Sequence, residues 1–368
     1  MRVLLWNRPN AESAPGGDTV QWRRTAAALE TLGVEVECTL ESAQALDLSG
    51  FDLVHVFNLQ SEVPALAVAE RARAAGLPVA LSTIWWDLSE GRYLRRLRRK
   101  RLLRLREQVI GREASLARFL RWDRARPRGR RRDAAAANLL GISQVLLPNS
   151  VREIEALEAF FQLEGLALKS AVVCNGASVP RGIEPAPDRE GVLCVARLGP
   201  LKNQLALIEA CRGLAPLTLV GPSQAGDYLS ECQAAAADHG ACQILPARPQ
   251  HELWPLYAGA RVHALASFRE TPGLVSLEAA ALGCALVSTD RGSAEEYLGE
   301  EAEYCDPTDT GSIRAALERA LAEPRRVSPE RLASYTWERA GAATLIAYRW
   351  LLGEPVELPS SLAGPPSG

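Results

Sequence analysis

The sequence predicts an α/β protein made of two doubly wound domains, each built on a parallel sheet. Short apolar runs that read as strands alternate with helical patterns along its 368 residues, as in parallel βαβ units. The runs fall into two sets on either side of Pro180–Asp188, a proline-rich stretch that reads as a linker. Because doubly wound sheets bind ligands beyond the carboxyl ends of their strands, we expect a site in the cleft between the domains.

The predicted strands divide evenly between the two halves. Those of the first half are Val3–Trp6, Val34–Cys38, Leu53–Phe57, Val79–Ser82, Val145–Leu147 and Val172–Cys174. Those of the second half are Val192–Ala196, Leu217–Val220, Gln243–Leu245, Val262–Ala266, Ala285–Ser288 and a weaker Ala302–Cys305. An amphipathic helical pattern, Tyr335–Leu352, follows them, and residues 355–368 are rich in Pro, Ser and Gly, which predicts a disordered tail.

Composition indicates a globular protein and excludes several other classes. Hydrophobic residues make up 47% of the chain, yet no run of about 18 apolar residues predicts a membrane-spanning helix. Met1–Trp6 reads as a first strand and is too short for a signal peptide. The eight cysteines include no C-x-x-C pair, which favours a reducing cytoplasm without zinc or disulfides. The four histidines lack metal-ligand spacing, and for His55 and His263, which lie in strand-like runs, a core role is favoured over catalysis.

The loop after the first strand contains paired glycines, Gly16 and Gly17, directly before a helical pattern that starts at Val20 and stops at Gly33. Glycines at this point expose backbone amides to the expected cleft, and the alternative is an ordinary turn. No GxGxxG follows the first strand, so a dinucleotide-dependent oxidoreductase is disfavoured.

Two tryptophans and a carboxylate, Trp85, Trp86 and Asp87, follow the fourth strand. The apolar faces of the rings suit stacking on a sugar, and Asp87 can accept a hydrogen bond from a hydroxyl. Packing of both tryptophans in the core is an equally good interpretation, so their assignment to an acceptor site stays open here.

The segment Arg92–Arg132 holds seventeen arginines and Lys100 against three acidic residues, although the whole chain has a formal net charge of −2. One interpretation is a basic amphipathic surface on an anionic membrane, with apolar residues that enter the bilayer: Leu94, Leu97, Leu102, Leu105, Val109, Ile110, Phe119 and Trp122. A second is a solvated helical insertion with ion pairs. Nucleic acid is the weakest partner because the sequence offers no recognition module.

A second stretch, Ser267–Gly283, predicts a loop and a helix between two strands. Thr271 can cap the helix, Pro272 suits its first position, Gly273 lets a ligand approach the backbone, and Gly283 ends the helix. The open amides at the start of this helix, at Leu274 and Val275, predict an anion site that suits phosphate.

Charged side chains surround the predicted anion site. Glu270 and Glu278 flank it, and since a carboxylate repels phosphate, each is better directed at sugar hydroxyls. The alternative is a loop glutamate and a solvated helix glutamate that lie close by chance. Arg197 follows a strand and Lys202 precedes the next helix, where both can meet the same phosphates; the alternative is a pair of surface cations.

The E-x7-E spacing within "SFRETPGLVSLEAAALGCALVSTDRGS" resembles the signature of the retaining glycosyltransferases of family 4, the glycosyl transferases group 1. The resemblance implies the GT-B architecture, in which two Rossmann-like domains face each other across a cleft and a C-terminal helix crosses back to the first domain. The domains would be residues 1–182, with an Arg-rich insertion, and residues 189–334, followed by the crossing helix at 335–354.

The resemblance also implies roles for individual residues. Arg197, Lys202 and the amides from Gly273 to Val275 would hold a nucleotide diphosphate, Glu278 the ribose and Glu270 the donor sugar, and the Gly16–Gly17 loop would complete the donor site. The expected catalytic residues are therefore Glu270, Arg197 and Lys202.

Retaining transfer of a sugar from a UDP-, GDP- or ADP-sugar to a hydroxyl acceptor is the predicted function. No metal or other cofactor is expected, the acceptor is a glycan or is lipid-linked, and the location is the cytoplasm or the inner face of the membrane. A GT-B sugar-nucleotide epimerase and a non-catalytic sugar-nucleotide-binding protein are the alternatives. Two departures from the family pattern are the missing histidine near Trp85 and Pro246, which stands where relatives carry a glycine and leaves the nucleobase open.

Overall fold

The computed structural model describes residues 1–177, 182–223, 226–271 and 273–356, without the side chains of residues 95, 98, 99, 101, 102, 104, 106 and 108. Pro180 and Arg181 of the predicted linker, Pro272 and most of the predicted tail lie outside these ranges. The described residues form two compact units. Unit 1 contains residues 1–87, 102–176 and the chain from Ser334 onward, and unit 2 contains residues 88–101 and the described part of 177–333.

Strands and helices alternate as the sequence predicts. The strands are β1 (Arg2–Trp6), β2 (Glu35–Thr39), β3 (Leu53–Phe57), β4 (Val79–Ser82), β5 (Val145–Leu146), β6 (Glu190–Val195), β7 (Leu217–Val220), β8 (Cys242–Leu245), β9 (Ala260–Leu265), β10 (Ala285–Thr289) and β11 (Glu303–Cys305). The helices are α1 (Gly17–Thr31), α2 (Glu62–Ala74), α3 (Ser89–Arg99), α4 (Arg101–Ile110), α5 (Arg112–Ala125), α6 (Pro127–Ile142), α7 (Val151–Phe161), α8 (Gln204–Cys211), α9 (Asp227–His239), α10 (Gln250–Gly259), α11 (Leu274–Ala281), α12 (Ala294–Leu298), α13 (Thr310–Ala322), α14 (Pro329–Leu332) and α15 (Trp337–Leu351).

Unit 1 has a five-stranded parallel sheet among its described residues, in the order β2-β1-β3-β4-β5. Every residue of β3 is buried, as expected for a central strand covered on both faces. The predicted C-terminal helix is confirmed as α15, which packs on α1 of the same unit. A side chain at Gly341 would lie 2.6 Å from Cβ of Ala28, so glycine is what lets these two helices approach.

The predicted strand Val172–Cys174 is wrong. The segment is extended beside β5, where the Ala171 amide donates to the Leu146 carbonyl and the Val173 amide to the Pro148 carbonyl. Pro148 has no N–H to donate in return, so the ladder stops at an isolated bridge between Leu146 and Ser170. The other predicted strands are confirmed to within one or two residues at their ends.

Unit 2 has a six-stranded parallel sheet among its described residues, in the order β11-β10-β9-β6-β7-β8. Its core combines apolar strand residues such as Val262 and Val287 with Ile208 of α8 and Leu317 of α13. Both sheets are parallel and covered by helices, which confirms the predicted fold of two Rossmann-like domains.

The Arg-rich segment is helical and spans α3 to the start of α6. Within the described ranges, no helix combines the length and the apolar character needed to cross a lipid bilayer.

Candidate functional site

The candidate site of unit 2 forms where β6 and β9, neighbours in the sheet, reach their carboxyl ends. The loop after β6 carries Arg197 and Lys202, and the loop after β9 carries Glu270. The Phe268 amide donates to the Leu201 carbonyl at 2.9 Å and so joins the two loops. The two halves of the predicted motif set are therefore adjacent, as the parallel topology requires.

Lys202 and Glu270 form the central pair of this site. The Lys202 ammonium lies 2.5 Å from Oε1 of Glu270. The glutamate side chain is 5% exposed and the lysine side chain 32% exposed, so the carboxylate is enclosed while the cation retains access to solvent. A cation that already reaches solvent can bind an anion without first leaving the core.

Gly273, rather than Thr271, precedes the first residue of α11, which corrects the predicted cap. Gly273 has φ +76°, a conformation that favours glycine, and an added Cβ would lie 2.9 Å from Leu265 and 3.4 Å from Oε2 of Glu270. The helix therefore starts directly beside the Glu270 carboxylate, with Leu274 and Val275 as its first residues. Gly283, with φ +78°, follows the helix end as predicted.

Glu278 is held by two partners that the sequence did not reveal. Its Oε1 accepts from Gln250 Nε2 at 2.7 Å and its Oε2 from the Tyr257 hydroxyl at 3.2 Å. Burial, and then the Glu278 charge, raise the pKa of Tyr257 well above its usual value, so the phenol stays a donor. Glu278 is 8% exposed, which excludes the solvated-helix alternative for this residue.

Arg197 is exposed at the end of β6. Its carbonyl accepts from Gln204 Nε2 at 3.0 Å, while Oε1 of Gln204 accepts from the Gly199 amide at 3.2 Å. The first side chain of α8 therefore fixes the turn that carries Arg197. Contact of the Arg197 guanidinium with a phosphate stays a prediction.

The backbone of Glu270 is clamped by the loop after β10, another feature absent from the sequence-based prediction. The Glu270 amide donates to the Arg291 carbonyl at 3.3 Å, and the Ser293 amide donates to the Glu270 carbonyl at 3.0 Å. Between them, Gly292 has φ +101° and no room for a side chain, since a Cβ would lie 2.1 Å from the Glu270 carbonyl oxygen.

Arg291 links this clamp to α3, which belongs to the same unit. Its guanidinium contacts Oε2 of Glu90 at 3.1 Å and Oδ1 of Asp306 at 3.0 Å. The first turn of α3, directly before the Arg-rich segment, is thus tied to the loop that holds Glu270.

The glycine loop of unit 1 is organised by Arg8, which sequence reasoning also missed. Arg8 Nε donates to Asp18 Oδ2 at 2.6 Å, and a second guanidinium nitrogen donates to the Ala14 carbonyl at 2.8 Å. Gly17 is the first residue of α1 and nothing lies within 4 Å of a Cβ added there. The start of α1 is therefore open beside Gly16 and Gly17, whose predicted donor role stays a prediction.

The predicted acceptor residues of unit 1 differ in environment. Trp85 is 6% exposed, and its ring contacts Phe160 and Phe161 with centroids 4.8 and 5.4 Å apart, as the packing alternative describes. Trp86 is 9% exposed. Asp87 keeps 26% of its side chain exposed and lies 3.9 Å from Arg124, so it is the best placed of the three to meet a ligand.

The two strand histidines are core residues, as the sequence favoured. Burial lowers the pKa of His55 and of His263 to about 3, so both are neutral. His55 is bonded through one ring nitrogen to the Tyr348 hydroxyl at 2.6 Å and through the second to Ser82 Oγ at 2.9 Å. In the part of the chain that the structure describes, no group of three His, Cys, Asp or Glu side chains is arranged to hold a metal ion.

The Arg-rich helices expose several apolar side chains. Val109 is 82% exposed, Leu105 46%, Trp122 41% and Ile110 37%. Phe119 is buried, which contradicts its predicted place at a membrane surface, because its ring packs against Trp122 with centroids 5.6 Å apart. The side chain of Leu102 lies outside the described part, and Leu94 and Leu97 are half-buried.

Comparison with known proteins gives a family match to the second part of the chain, over less than half of its length. Residues 180–339 match the model of the "Glycosyl transferases group 1" family. A GDP-mannose-dependent alpha-(1-6)-phosphatidylinositol monomannoside mannosyltransferase of Mycolicibacterium smegmatis is 33% identical over 165 residues, 41% of this chain and 43% of the relative. A D-inositol 3-phosphate glycosyltransferase of Corynebacterium urealyticum is 27% identical over 253 residues, 59% of each chain. The chain thus aligns with about half the length of these relatives.

Solved structures match over nearly the whole chain. Sucrose-phosphate synthase from Thermosynechococcus elongatus has a TM-score of 0.73 at 15% identity and covers 96% of this chain and 99% of its own. The catalytic domain of starch synthase IV from Arabidopsis thaliana has a TM-score of 0.63 at 12% identity, with 96% and 99% covered. At such identities the likeness establishes the fold. The chain thus has the GT-B fold, and its residues 180–339 are similar to the glycosyl transferases group 1 family.

Proposed function

We propose that the protein transfers a sugar, with retention, from a nucleotide-diphosphate donor to a hydroxyl acceptor. The observation that carries the proposal is the Lys202–Glu270 contact of 2.5 Å beside the open start of α11. An enclosed carboxylate, an accessible ammonium and helix amides form a set that suits a sugar joined to a diphosphate.

In the proposed mechanism the diphosphate leaves as the glycosidic bond breaks, and negative charge develops on its oxygens. Arg197, Lys202 and the amides of Leu274 and Val275 stabilise that charge. Glu270 accepts hydrogen bonds from the donor sugar and fixes its orientation. The acceptor oxygen attacks from the face that the diphosphate leaves and passes its proton to an oxygen of the departing diphosphate, so the product keeps the anomeric configuration and needs no covalent glycosyl-enzyme.

Transfer in this scheme requires no metal, because protein cations supply the positive charge. The test is activity after treatment with EDTA and removal of the chelated metal. Retention of more than about half of the activity is expected, and loss that added Mg²⁺ or Mn²⁺ restores would contradict this part of the proposal.

The experiment that tests transfer is incubation with UDP-glucose, GDP-mannose and ADP-glucose, each with and without acceptor. The activities of two relatives suggest the acceptors to test, D-inositol 3-phosphate and phosphatidylinositol monomannoside. Free nucleoside diphosphate together with a new α-glycoside supports retaining transfer. An altered sugar still joined to its nucleotide would instead identify an epimerase, and binding without turnover a non-catalytic protein.

We further propose that the Arg-rich helices bring the enzyme to an anionic membrane surface and so to a lipid-linked acceptor. The support is the exposure of Leu105, Val109 and Ile110 on a segment of high positive charge. Apolar side chains among arginines suit insertion at the level of anionic head groups.

Vesicle flotation tests this surface. Vesicles with about one-third phosphatidylglycerol should carry the wild type up the gradient, and neutral phosphatidylcholine vesicles should not. Val109→Ser with Ile110→Ser should reduce flotation, whereas Leu168→Ser, at an 87% exposed leucine outside the segment, should not. Equal flotation with both lipids would exclude the electrostatic mode of binding.

A further inference from the structure

The loop that carries the predicted acceptor residues contains one strained residue. Ile84 has φ +43°, a left-handed conformation that is unfavourable for any β-branched side chain. Such a conformation persists only where the surroundings fix the residues on both sides of it. Ile84 lies between Thr83 and Trp85, so the bonds of these two residues decide whether the loop keeps its shape.

A single buried carboxylate binds both neighbours of Ile84. Oε1 of Glu153, on α7, accepts from Thr83 Oγ1 at 2.5 Å and from the Trp85 amide at 2.7 Å. Its Oε2 accepts from the Asn149 amide at 2.8 Å. Glu153 is 0% exposed, so its carboxylate makes all of its contacts inside the protein.

The position of Glu153 is itself fixed. Ser150 caps α7, and its hydroxyl accepts from the Glu153 amide at 3.0 Å. A carboxylate in the first turn of a helix is also favoured by the helix dipole. Asn149 is joined to Gln21 of α1 by two amide hydrogen bonds of 2.9 and 3.1 Å, so the turn before α7 is tied to the helix that follows the glycine loop.

Two further bonds hold the ends of the loop. The Leu59 amide donates to the Thr83 carbonyl at 2.9 Å, and Gln60 Nε2 donates to the Trp86 carbonyl at 2.8 Å. Asp87 follows directly, with its side chain partly exposed. The direction in which Asp87 leaves the sheet therefore depends on the conformation at Ile84.

We propose that Glu153 is a positioning residue that holds the Thr83–Asp87 loop in its strained conformation and thereby presents Asp87 to the acceptor. The assignment of the loop to the acceptor rests on the proposed function, whereas the clamp on Ile84 does not. The carboxylate is required because three donors meet its two oxygens. A glutamine at 153 has one acceptor oxygen, and its NH₂ group would face an N–H that can only donate, that of Asn149 or that of Trp85.

The first test is hydrogen–deuterium exchange of the peptides that contain residues 83–87 and Asn149, in the full-length protein. Glu153→Gln should speed exchange of the Trp85 or the Asn149 amide by about tenfold or more, since it leaves one of these two buried donors unpaired. Glu158→Gln is the matched control: this glutamate lies on the same helix and accepts from one amide, that of Leu166, which a glutamine oxygen can still serve. Unchanged exchange of both amides in Glu153→Gln would overturn the proposal.

The second test is rescue at Ile84. Glycine adopts positive φ at little cost, so Ile84→Gly should restore slow exchange in the Glu153→Gln protein by about threefold or more. Ile84→Val keeps the β-branch and should not restore it. A rescue by both variants or by neither would show that strain at Ile84 is not what Glu153 opposes. Thr83→Val, which removes one donor and keeps the shape, provides a milder variant if Glu153→Gln does not fold.

The third test addresses the acceptor. With a donor and acceptor pair that the wild type turns over, Glu153→Gln should raise the KM for the acceptor about tenfold. It should leave the binding of UDP, GDP or ADP within about threefold. Equal losses in the acceptor KM and in nucleotide binding would mean that Glu153 only supports the general stability of the protein. If no pair is turned over, the transfer proposal fails while the exchange and rescue results still decide the clamp.

Discussion

The ammonium group of Lys202 lies 2.5 Å from Oε1 of Glu270, and the Glu270 carboxylate lies beside Gly273, the residue that precedes α11. Without a donor each neutralises the other. In the proposed mechanism a bound nucleotide sugar would separate them, because the diphosphate would attract the lysine while sugar hydroxyls would occupy the glutamate. In the absence of a donor, the ion pair therefore leaves the buried Glu270 charge compensated by Lys202.

Lys202→Ala and Glu270→Gln should therefore differ in their effect on nucleotide binding. Lys202→Ala should weaken binding of the nucleoside diphosphate, because a cation on the phosphates is lost. Glu270→Gln should leave that binding unchanged or tighten it, since it releases Lys202 from its partner. Both should lower kcat/KM about a hundredfold or more, as expected for a preorganised group that acts on the transition state. Calorimetric titration and initial rates separate the two effects.

Arg248→Ala is a suitable control for this pair, because Arg248, just before α10, and Glu252 form an exposed ion pair at 2.9 Å. Exposed ion pairs contribute little to stability, so this variant should keep its activity within about threefold of the wild type. Activity within about threefold in Lys202→Ala as well would defeat the proposed transfer mechanism.

Glu278 should confer a preference for ribose hydroxyls. The wild type should bind a ribonucleoside diphosphate more tightly than its 2′,3′-dideoxy analogue by about tenfold, as expected for hydrogen bonds to a charged acceptor. Glu278→Ala should abolish the difference. Tyr257→Phe removes the donor to Oε2 of Glu278 and should reduce the difference in affinity. Tyr228→Phe, on α9, should leave the difference unchanged. If Glu278→Ala discriminated between the two nucleotides as well as the wild type does, the ribose contact would have to lie elsewhere.

Acid should destabilise the protein through its buried histidines. Burial lowers the pKa of His55 in the folded state to about 3, below its unfolded value near 6.5. The unfolded state then binds one more proton between these values, so stability is fully present above about pH 6.5 and is lost as the pH falls toward 3. The slope is roughly 1.4 kcal/mol per pH unit for each such histidine.

Urea unfolding of His55→Asn between about pH 6 and pH 4 should show a slope smaller by that amount than the wild-type slope. His251→Asn, at an exposed histidine, should leave the slope unchanged. If His55→Asn and the wild type lose stability in parallel, His55 is not protonated on unfolding in this range.

The sequence was sufficient for the fold because its strands are marked by their own residues. The run Leu53–Phe57 is apolar apart from His55, and its boundaries agree with β3 at both ends. The local sequence pattern gave a wrong prediction where a residue distant in sequence determines the structure. The segment Val172–Cys174 has strand-forming residues, but its neighbour Pro148 cannot complete the ladder.

The residues of the candidate site also divide into those that the sequence predicts and those that it does not. Lys202 and Glu270 were found because each lies at a fixed place next to a strand, and parallel topology brings such places together. Gln250, Tyr257 and Glu153 were missed because their partners are 28, 21 and about 70 residues away in sequence. Only the Ser150-x-x-Glu153 spacing, typical of a capped helix, offered a local signal, and it does not predict contact with Thr83.

Gly292 should be essential for the position of Glu270. An alanine there places its Cβ 2.1 Å from the Glu270 carbonyl oxygen, at φ +101°, so the loop after β9 must shift. Gly240→Ala is the matched control, because Gly240 has φ +78° and nothing lies within 4 Å of the added carbon. Both variants should lose about 1 kcal/mol of stability from the left-handed conformation. Only Gly292→Ala should also lower kcat/KM, by about tenfold or more, since misplacing a catalytic group by about 1 Å is costly. Thermal unfolding and initial rates measure the two quantities separately, and equal activity in the two variants would mean that the clamp does not set the position of Glu270.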